Sequence, residues 1–325
     1  MPTDTRTRVL ITGASGDSAQ GVIRALRGAD RAYFIAAVCI NERNPGFLMS
    51  DVNALAPPYS EESEYIDFLI EFIRRHTIDV LIPTIDGELP LISRRSEEIV
   101  RRSGAKVIVG EHDSVQICYD KLVTSRFLDE LSVAQPILLS GGFDEIRRHI
   151  QDGNRVIMKP REGGGSRGIR ILGDADLLSD RWMRDDCIYQ HYERYEREYS
   201  SVALKDGKDV AAIAVLEREL SGGRTVWSRR VKVSRYENLI HTVAAGLDLP
   251  YMNIQFGWQG SQLQVFDINP RFSGSTAVFS LVFNGPDLLV QKAVSGRMPK
   301  FKCSDRYFES MRYLADIVVD RAPHD

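Results

Sequence analysis

From Arg8 to Val109 short β-like apolar runs alternate with amphipathic helical stripes, and this alternation restricts the possible folds more than any other feature. Arg8 to Thr12 reads as a strand that breaks at Gly13-Ala-Ser-Gly16, and Ala19 to Arg27 as a helix. Tyr33 to Ile40 supplies a second strand. Ile66, Leu69, Ile70 and Ile73 mark a helical stripe, Asp79 to Ile85 a further strand, Leu89 to Arg102 a helix and Lys106 to Val109 a strand. Strands separated by helices imply a parallel sheet covered on both faces, so the first domain is expected to be Rossmann-like and to end near Gly110.

Its glycine turn invites a dinucleotide, but Gly13, Gly16 and Gly21 do not reproduce the G-x-G-x-x-G spacing. Val-Leu-Ile-Thr-Gly-Ala-Ser-Gly16 is similar to the opening of short-chain dehydrogenases and epimerases. Those enzymes pair a tyrosine with a lysine four residues later, and no tyrosine in this chain has a lysine there. Pro83-Thr-Ile-Asp-Gly-Glu88 falls where a parallel strand ends, the edge at which open α/β sheets bind ligands. Asp86 and Glu88 can meet a substrate amine or hydroxyl there; the alternative is that they only begin the next helix, where carboxylates suit its positive end.

The stretch Arg155-Val-Ile-Met-Lys-Pro-Arg-Glu-Gly-Gly-Gly-Ser-Arg-Gly-Ile-Arg-Ile-Leu172 reads as strand, loop, strand. Gly163, Gly164 and Gly165 let the backbone turn several N–H groups toward one anion, and Lys159 adds a full positive charge, a combination suited to nucleotide phosphates. A hairpin with a flexible tip and a snorkelling lysine is the competing reading. Around it, Glu111 to Leu131 reads as a connection and a helix, Gly141 to Ile150 as a helix, Asp176 to Asp186 as helical and Cys187 to Tyr192 as a strand.

From Glu198 onward strands dominate: Tyr199 to Leu204, Val210 to Leu216, Thr225 to Val233, Met252 to Trp258 and Gln262 to Ile268. A helix interrupts them at Tyr236 to Gly246, and two more follow at Ala277 to Phe283 and Pro286 to Ser295. This pattern suits a largely antiparallel sheet. Period two puts Asp267 and Asn269 on one face of their strand. With Gln255 from the neighbouring strand they form a set of hard oxygen ligands suited to magnesium, and Arg271 follows with a planar fork for a phosphoryl group. Taken alone, Asp-x-Asn-Pro also reads as a strand ending in a polar turn.

Composition narrows the function. The 325 residues suit two or three subdomains, and 43% apolar with 27% charged residues is ordinary for a folded globule. A formal net charge of −3 gives no overall electrostatic reason to expect nucleic acid. No apolar run approaches membrane-spanning length, and the N-terminus is polar up to Arg8 without a signal-peptide core, so a soluble, cytoplasmic protein is expected. Cys39, Cys118, Cys187 and Cys303 are scattered, as are the histidines, which leaves a hard cation as the metal to expect.

Together these pieces resemble the ATP-grasp superfamily, in its carbamoyl-phosphate-synthetase-like and carboxylate–amine ligase branches, over nearly the whole chain. The resemblance implies a mixed α/β and α+β chain with the ATP-grasp fold: a Rossmann-like domain at 1–112, a lid subdomain with the glycine-rich loop at 113–192, and a C-terminal antiparallel-sheet catalytic subdomain at 193–325. It implies that Lys121 opens the nucleotide site and that Lys159 with Gly163, Gly164 and Gly165 forms the lid lysine and phosphate loop. Gln190, His191, Tyr192 and Glu193 would be the hinge that holds adenine, mostly through backbone groups, and Glu198 would meet the ribose hydroxyls. Gln255, Asp267 and Asn269 take the metal-ligand positions, and Arg271 the phosphate-contacting arginine that joins Lys159 in catalysis.

Two positions depart from the pattern: Asp267 stands where many relatives have glutamate, and Gln255 where many have another acid. One or two Mg2+ ions are therefore expected with ATP. The implied activity is phosphoryl transfer to a small-molecule carboxylate, giving an acyl phosphate that an amine captures. No nucleic acid or membrane partner is expected, and a homodimer is left open. A phosphotransferase without amine capture, an NAD(P)-dependent oxidoreductase or epimerase, and a non-catalytic ATP-binding regulator remain as alternatives.

Overall fold

Val9, Leu10 and Ile11 are wholly buried because β1 (Thr7–Ile11) is the middle strand of a five-stranded parallel sheet. The structure is a computed structural model that describes residues 5–164, 168–178 and 181–318. After β1 come α1 (Asp17–Arg27), β2 (Tyr33–Cys39), α2 (Pro45–Met49), β3 (Val52–Leu55), α3 (Glu62–Arg75), β4 (Val80–Ile82), α4 (Leu89–Ser103) and β5 (Lys106–Val107). The strand order is β3-β2-β1-β4-β5, all parallel, with β1 paired to β2 on one side and β4 on the other. The predicted stripe Ile66, Leu69, Ile70 and Ile73 is the buried side of α3, packed with Ile92 and Ile99 of α4 on Leu10 and Leu81. Each such aliphatic side chain contributes about 1.5–3 kcal/mol when fully buried.

The turn after β1 has a packing reason for its first glycine. Gly13 sits at φ +63°, and a Cβ there would lie 2.5 Å from Ile85 Cγ1. Both the backbone angle and the close approach of the β4 loop exclude a side chain.

The chain divides into two compact units, the second beginning at Gly110. This second unit opens with α5 (His112–Tyr119), α6 (Lys121–Glu130) and α7 (Gly142–Gln151), then β6 (Arg155–Pro160), β7 (Arg170–Leu172) and β8 (Cys187–Tyr192). These three strands form an antiparallel sheet in the order β7-β6-β8. Val156 and Met158 pack with Ile146 and Ile150 of α7 and with Trp182. Period two therefore turns Ile157 and Lys159 to the other face. Where a helix was expected from Asp176, the described residues show only a short 3-10 turn at Asp174–Leu178, followed by the Trp182 indole donating to Asp176 O.

β9 (Arg197–Asp206), β10 (Asp209–Ser221), β11 (Arg224–Arg230), α8 (Glu237–Ala245), β12 (Tyr251–Gln259) and β13 (Gln262–Asn269) complete the unit. The strands are antiparallel in the order β13-β12-β9-β10-β11. One face carries the stacked rings of Tyr199 and Phe256, which Tyr236, just before α8, meets at a tilt, and Lys205 is buried there as a helix cap, donating to Ala244 O and Leu247 O.

The last two helices, α9 (Thr276–Phe279) and α10 (Gly285–Ser295), do not stay with this sheet as the sequence suggested. Residues 271–306 belong to the first unit, where α9 and α10 pack on α1 and bury Leu288, Leu289 and Val290. Asn284 fixes the join: its side chain accepts from Asp287 N and donates to Ala25 O. Among the described residues no helix is long and apolar enough to cross a membrane.

Candidate active site

The face of β6 that carries Lys159 looks onto a narrow crevice inside the second unit. Its walls include Lys121, Lys159, Ile188, Gln190 and Asp267. Register explains the first group: Lys159 lies opposite Ile188 and Ile157 opposite Gln190, so alternation brings Lys159 and Gln190 to the same side. Lys159 is only 8% exposed. Burial lowers its pKa to about 8; Asp267 and Glu198 pull it back up, and Lys121 pushes it down. Two lysines and two carboxylates thus share one electrostatic neighbourhood.

Lys121 begins α6 because Asp120 caps it, accepting from Leu122 N at 2.9 Å, while the same carboxylate pairs with Arg161. The Lys121 ammonium donates to Gly163 O at 2.7 Å, and its backbone N–H to Arg161 O at 2.9 Å. Gly163 takes φ +93°, a conformation that lets the loop turn its carbonyl to that ammonium. Gly164 is among the described residues; Gly165 lies outside them.

Of the four expected hinge residues, the structure brings the Gln190 side chain to the crevice. Gln190 is 4% exposed, and its Oε1 is buried without a hydrogen-bond donor. The side chains of the next three are engaged with other residues. His191 Nδ1 faces His149 Nε2 at 2.9 Å, Tyr192 lies under the Arg155 guanidinium, and Glu193 accepts from Gln259. The backbone N–H of His191 already donates to Ile137 O.

The expected metal-ligand residues do lie together. Gln255 is directly opposite Asp267, and Asn253 opposite Asn269. A register shift after Gln255 leaves Phe266 unpaired and aims it at Tyr195, with which it stacks. Asp267 accepts from Asn269 Nδ2 at 2.7 Å. Gln255 Oε1, however, is held by Arg218 Nη2 at 2.8 Å, and the Arg218 guanidinium lies 3.5 Å from Glu198. None of the sequence motifs marks Arg218. Its signal was present: Ala212, Ala214, Leu216 and Arg218 share the inward face of β10, so an arginine falls on an apolar register. Among the described residues no group of three or more His, Cys, Asp and Glu is placed to hold a metal. A hard cation nevertheless fits Asp267 and its amide neighbours by donor type.

The remaining candidates lie in the first unit. Glu88 is fully buried and accepts from Thr12 Oγ1, Tyr65 OH, Thr84 N and Ile85 N. Burial pushes its pKa up against those hydrogen bonds. This corrects the expectation that Glu88 meets a substrate: it ties β1, α3 and the loop after β4 together. Asp86 and Arg271, expected to act separately, form one ion pair, with the Arg271 Nε and Nη2 donating to the two Asp86 oxygens at 2.5 Å. Arg271 also donates to Ser18 Oγ and Phe272 O. A guanidinium fork already closed on a carboxylate is not an open phosphate site, and Asp86 is equally engaged.

A three-stranded antiparallel sheet facing a larger one, with a buried lysine between, is the arrangement of an ATP-grasp domain, and residues 118–275 match the ATP-grasp domain model. The chain carries an ATP-grasp domain over residues 118–275. Among its relatives, the carbamoyl phosphate synthase large chain of Sulfolobus acidocaldarius is 24% identical over 89% of this chain, which spans 30% of that protein's length. The phosphoribosylamine–glycine ligase of Methanocella arvoryzae is 21% identical over 91% of this chain and 75% of its own length. The biotin carboxylase domain of the Hydrogenobacter thermophilus 2-oxoglutarate carboxylase, a dimer solved with MgADP, ADP and bicarbonate, shares the fold. Its TM-score is 0.70 and its identity 15%, over 94% of this chain and 74% of that one.

Proposed function

We propose that this chain is an Mg2+-dependent, ADP-forming carboxylate–amine ligase whose nucleotide occupies the Lys159 crevice of the second unit. The buried Lys159 ammonium, set beside Lys121 and facing Asp267 and Glu198, carries this reading. Burying this ammonium costs more than Asp267 and Glu198 return, since its pKa stays lowered, and a triphosphate adds the missing negative charge. Lys121 and Lys159 hold phosphate oxygens, with Gly163 and Gly164 shaping the loop around them. Gln190 Oε1, buried without a donor, accepts an N–H from the base. Glu198 accepts from the ribose hydroxyls. Asp267 and Asn269 would hold Mg2+, which neutralises charge on the terminal phosphates when bound.

A carboxylate oxygen of the substrate attacks the γ-phosphorus, and ADP leaves with the electron pair of the broken P–O bond. The amine then attacks the acyl carbon, phosphate leaves, and the nitrogen loses a proton. Phosphoryl transfer of this kind needs positioning and charge more than covalent help from the protein. The test is ADP release from ATP against paired panels of small carboxylates and amines. ADP, phosphate and a new amide in equal amounts, dependent on both partners, is the expected result; ADP release that needs no amine would reassign the protein as a phosphotransferase.

A further inference from the structure

Arg218 on β10 lies beside Gln255 and Glu198 and takes no part in the nucleotide contacts proposed above. Its side chain is 7% exposed. It shares a face with Glu198, Ser200, Gln255 and Asp267, because Arg218 lies opposite Glu198 on β9, and Ser200 lies opposite Gln255 on β12. Nη2 donates to Gln255 Oε1 at 2.8 Å, and the Glu198 carboxylate is 3.5 Å away. The Phe266 ring flanks the guanidinium at 6.0 Å. Nε, by contrast, is buried and has no acceptor. An arginine keeps its charge at any physiological pH and offers donors only, so an unmet buried N–H calls for an oxygen from outside the protein.

Resting on the nucleotide site proposed above, we propose that Arg218 is a phosphoryl-binding residue that stands in for a second divalent cation. The Gln255 oxygen, placed to meet a cation, is instead held by a guanidinium. Asp267 and Asn269 are then left to hold one ion. The positive charge that a second ion would bring to the terminal phosphoryl group comes from β10, fixed in place and independent of metal concentration. Arginine suits this because its planar fork can keep Gln255 on one edge and present Nε–H on another.

The claim is tested by counting bound Mn2+ by electron paramagnetic resonance on the wild-type chain with the non-hydrolysable triphosphate AMP-PNP, and by calorimetry on Arg218→Met. One Mn2+ per chain is expected. Arg218→Met should weaken AMP-PNP by about tenfold or more and ADP by less than about threefold, since ADP lacks the group that Arg218 meets. Two Mn2+ per wild-type chain, or equal loss of both nucleotides in the variant, overturns the role of Arg218 while leaving the nucleotide site standing. A wild-type chain that binds neither nucleotide overturns both. The metal count needs no variant, so it decides the matter even if Arg218→Met fails to fold.

Discussion

Lys159 folds with a pKa near 8, against 10.5 for the unperturbed group, because its ammonium is taken out of water. A lowered lysine pKa means that below pH 8 both folded and unfolded chains are protonated and the cost of burying the charge is present in full. Between 8 and 10.5 the unfolded chain holds the extra proton, so stability from this residue rises with pH. Nucleotide binding runs the other way, since an anion selects the charged lysine. ADP affinity should be flat below pH 8 and fall by up to about tenfold per unit above it, and Lys159→Arg should flatten the curve. Calorimetry from pH 7 to 10 checks this; a wild-type profile as flat as that of the arginine variant would remove Lys159 from the phosphates. Glu88 supplies a contrasting residue. Glu88→Gln turns one of its acceptor oxygens into a donor facing O–H and N–H groups, and should lower stability by about 1–3 kcal/mol in denaturant melts. The KM values of the folded variant should be unchanged; a selective rise in one KM would restore Glu88 as a substrate residue.

At the scale of elements, what the sequence revealed depended on whether a side chain's partner was local. The parallel strands and the α3 stripe were legible because burial on both faces leaves unbroken apolar runs and burial on one face leaves a 3.6-residue period. α2 and β3 were missed: β3 is short and half-exposed, and Pro45-Gly-Phe has no helical period to detect. Asp267 and Asn269 stood out because alternation along a strand puts them on one face, and Lys159 because it precedes the Gly163 to Gly165 run. The engagement of Gln255 did not, since the Arg218 to Gln255 bond crosses from β10 over β9 to β12 and has no trace in local spacing. The paired β12 and β13 lead to a test. Asp267→Asn keeps the shape and removes the carboxylate from the ligand set, so Mg2+ should be needed at higher concentration for ATP use while thermal melting stays near the parent's. An unchanged Mg2+ titration would take Asp267 out of the site.

At the scale of the whole molecule, the division into two units was only partly written in the chain. The switch from alternating helices and strands to strands alone marks a change of architecture, but nothing in Ala277 to Ser295 says which sheet those helices cover. The answer lies in long-range contacts: Leu288, Leu289 and Val290 find their apolar partners in the first unit, and Asn284 locks onto Ala25. The Gly13 turn advertises a dinucleotide, yet its glycine is explained by φ +63° and the Ile85 side chain. The nucleotide is assigned to the second unit. Hydrogen exchange across the full chain, with and without MgADP, tests that assignment most directly. Protection gained in β6, β8, β12 and β13, with none gained in β1, α1 or the turn between them, is the predicted result; protection confined to β1, that turn and α1 would contradict it.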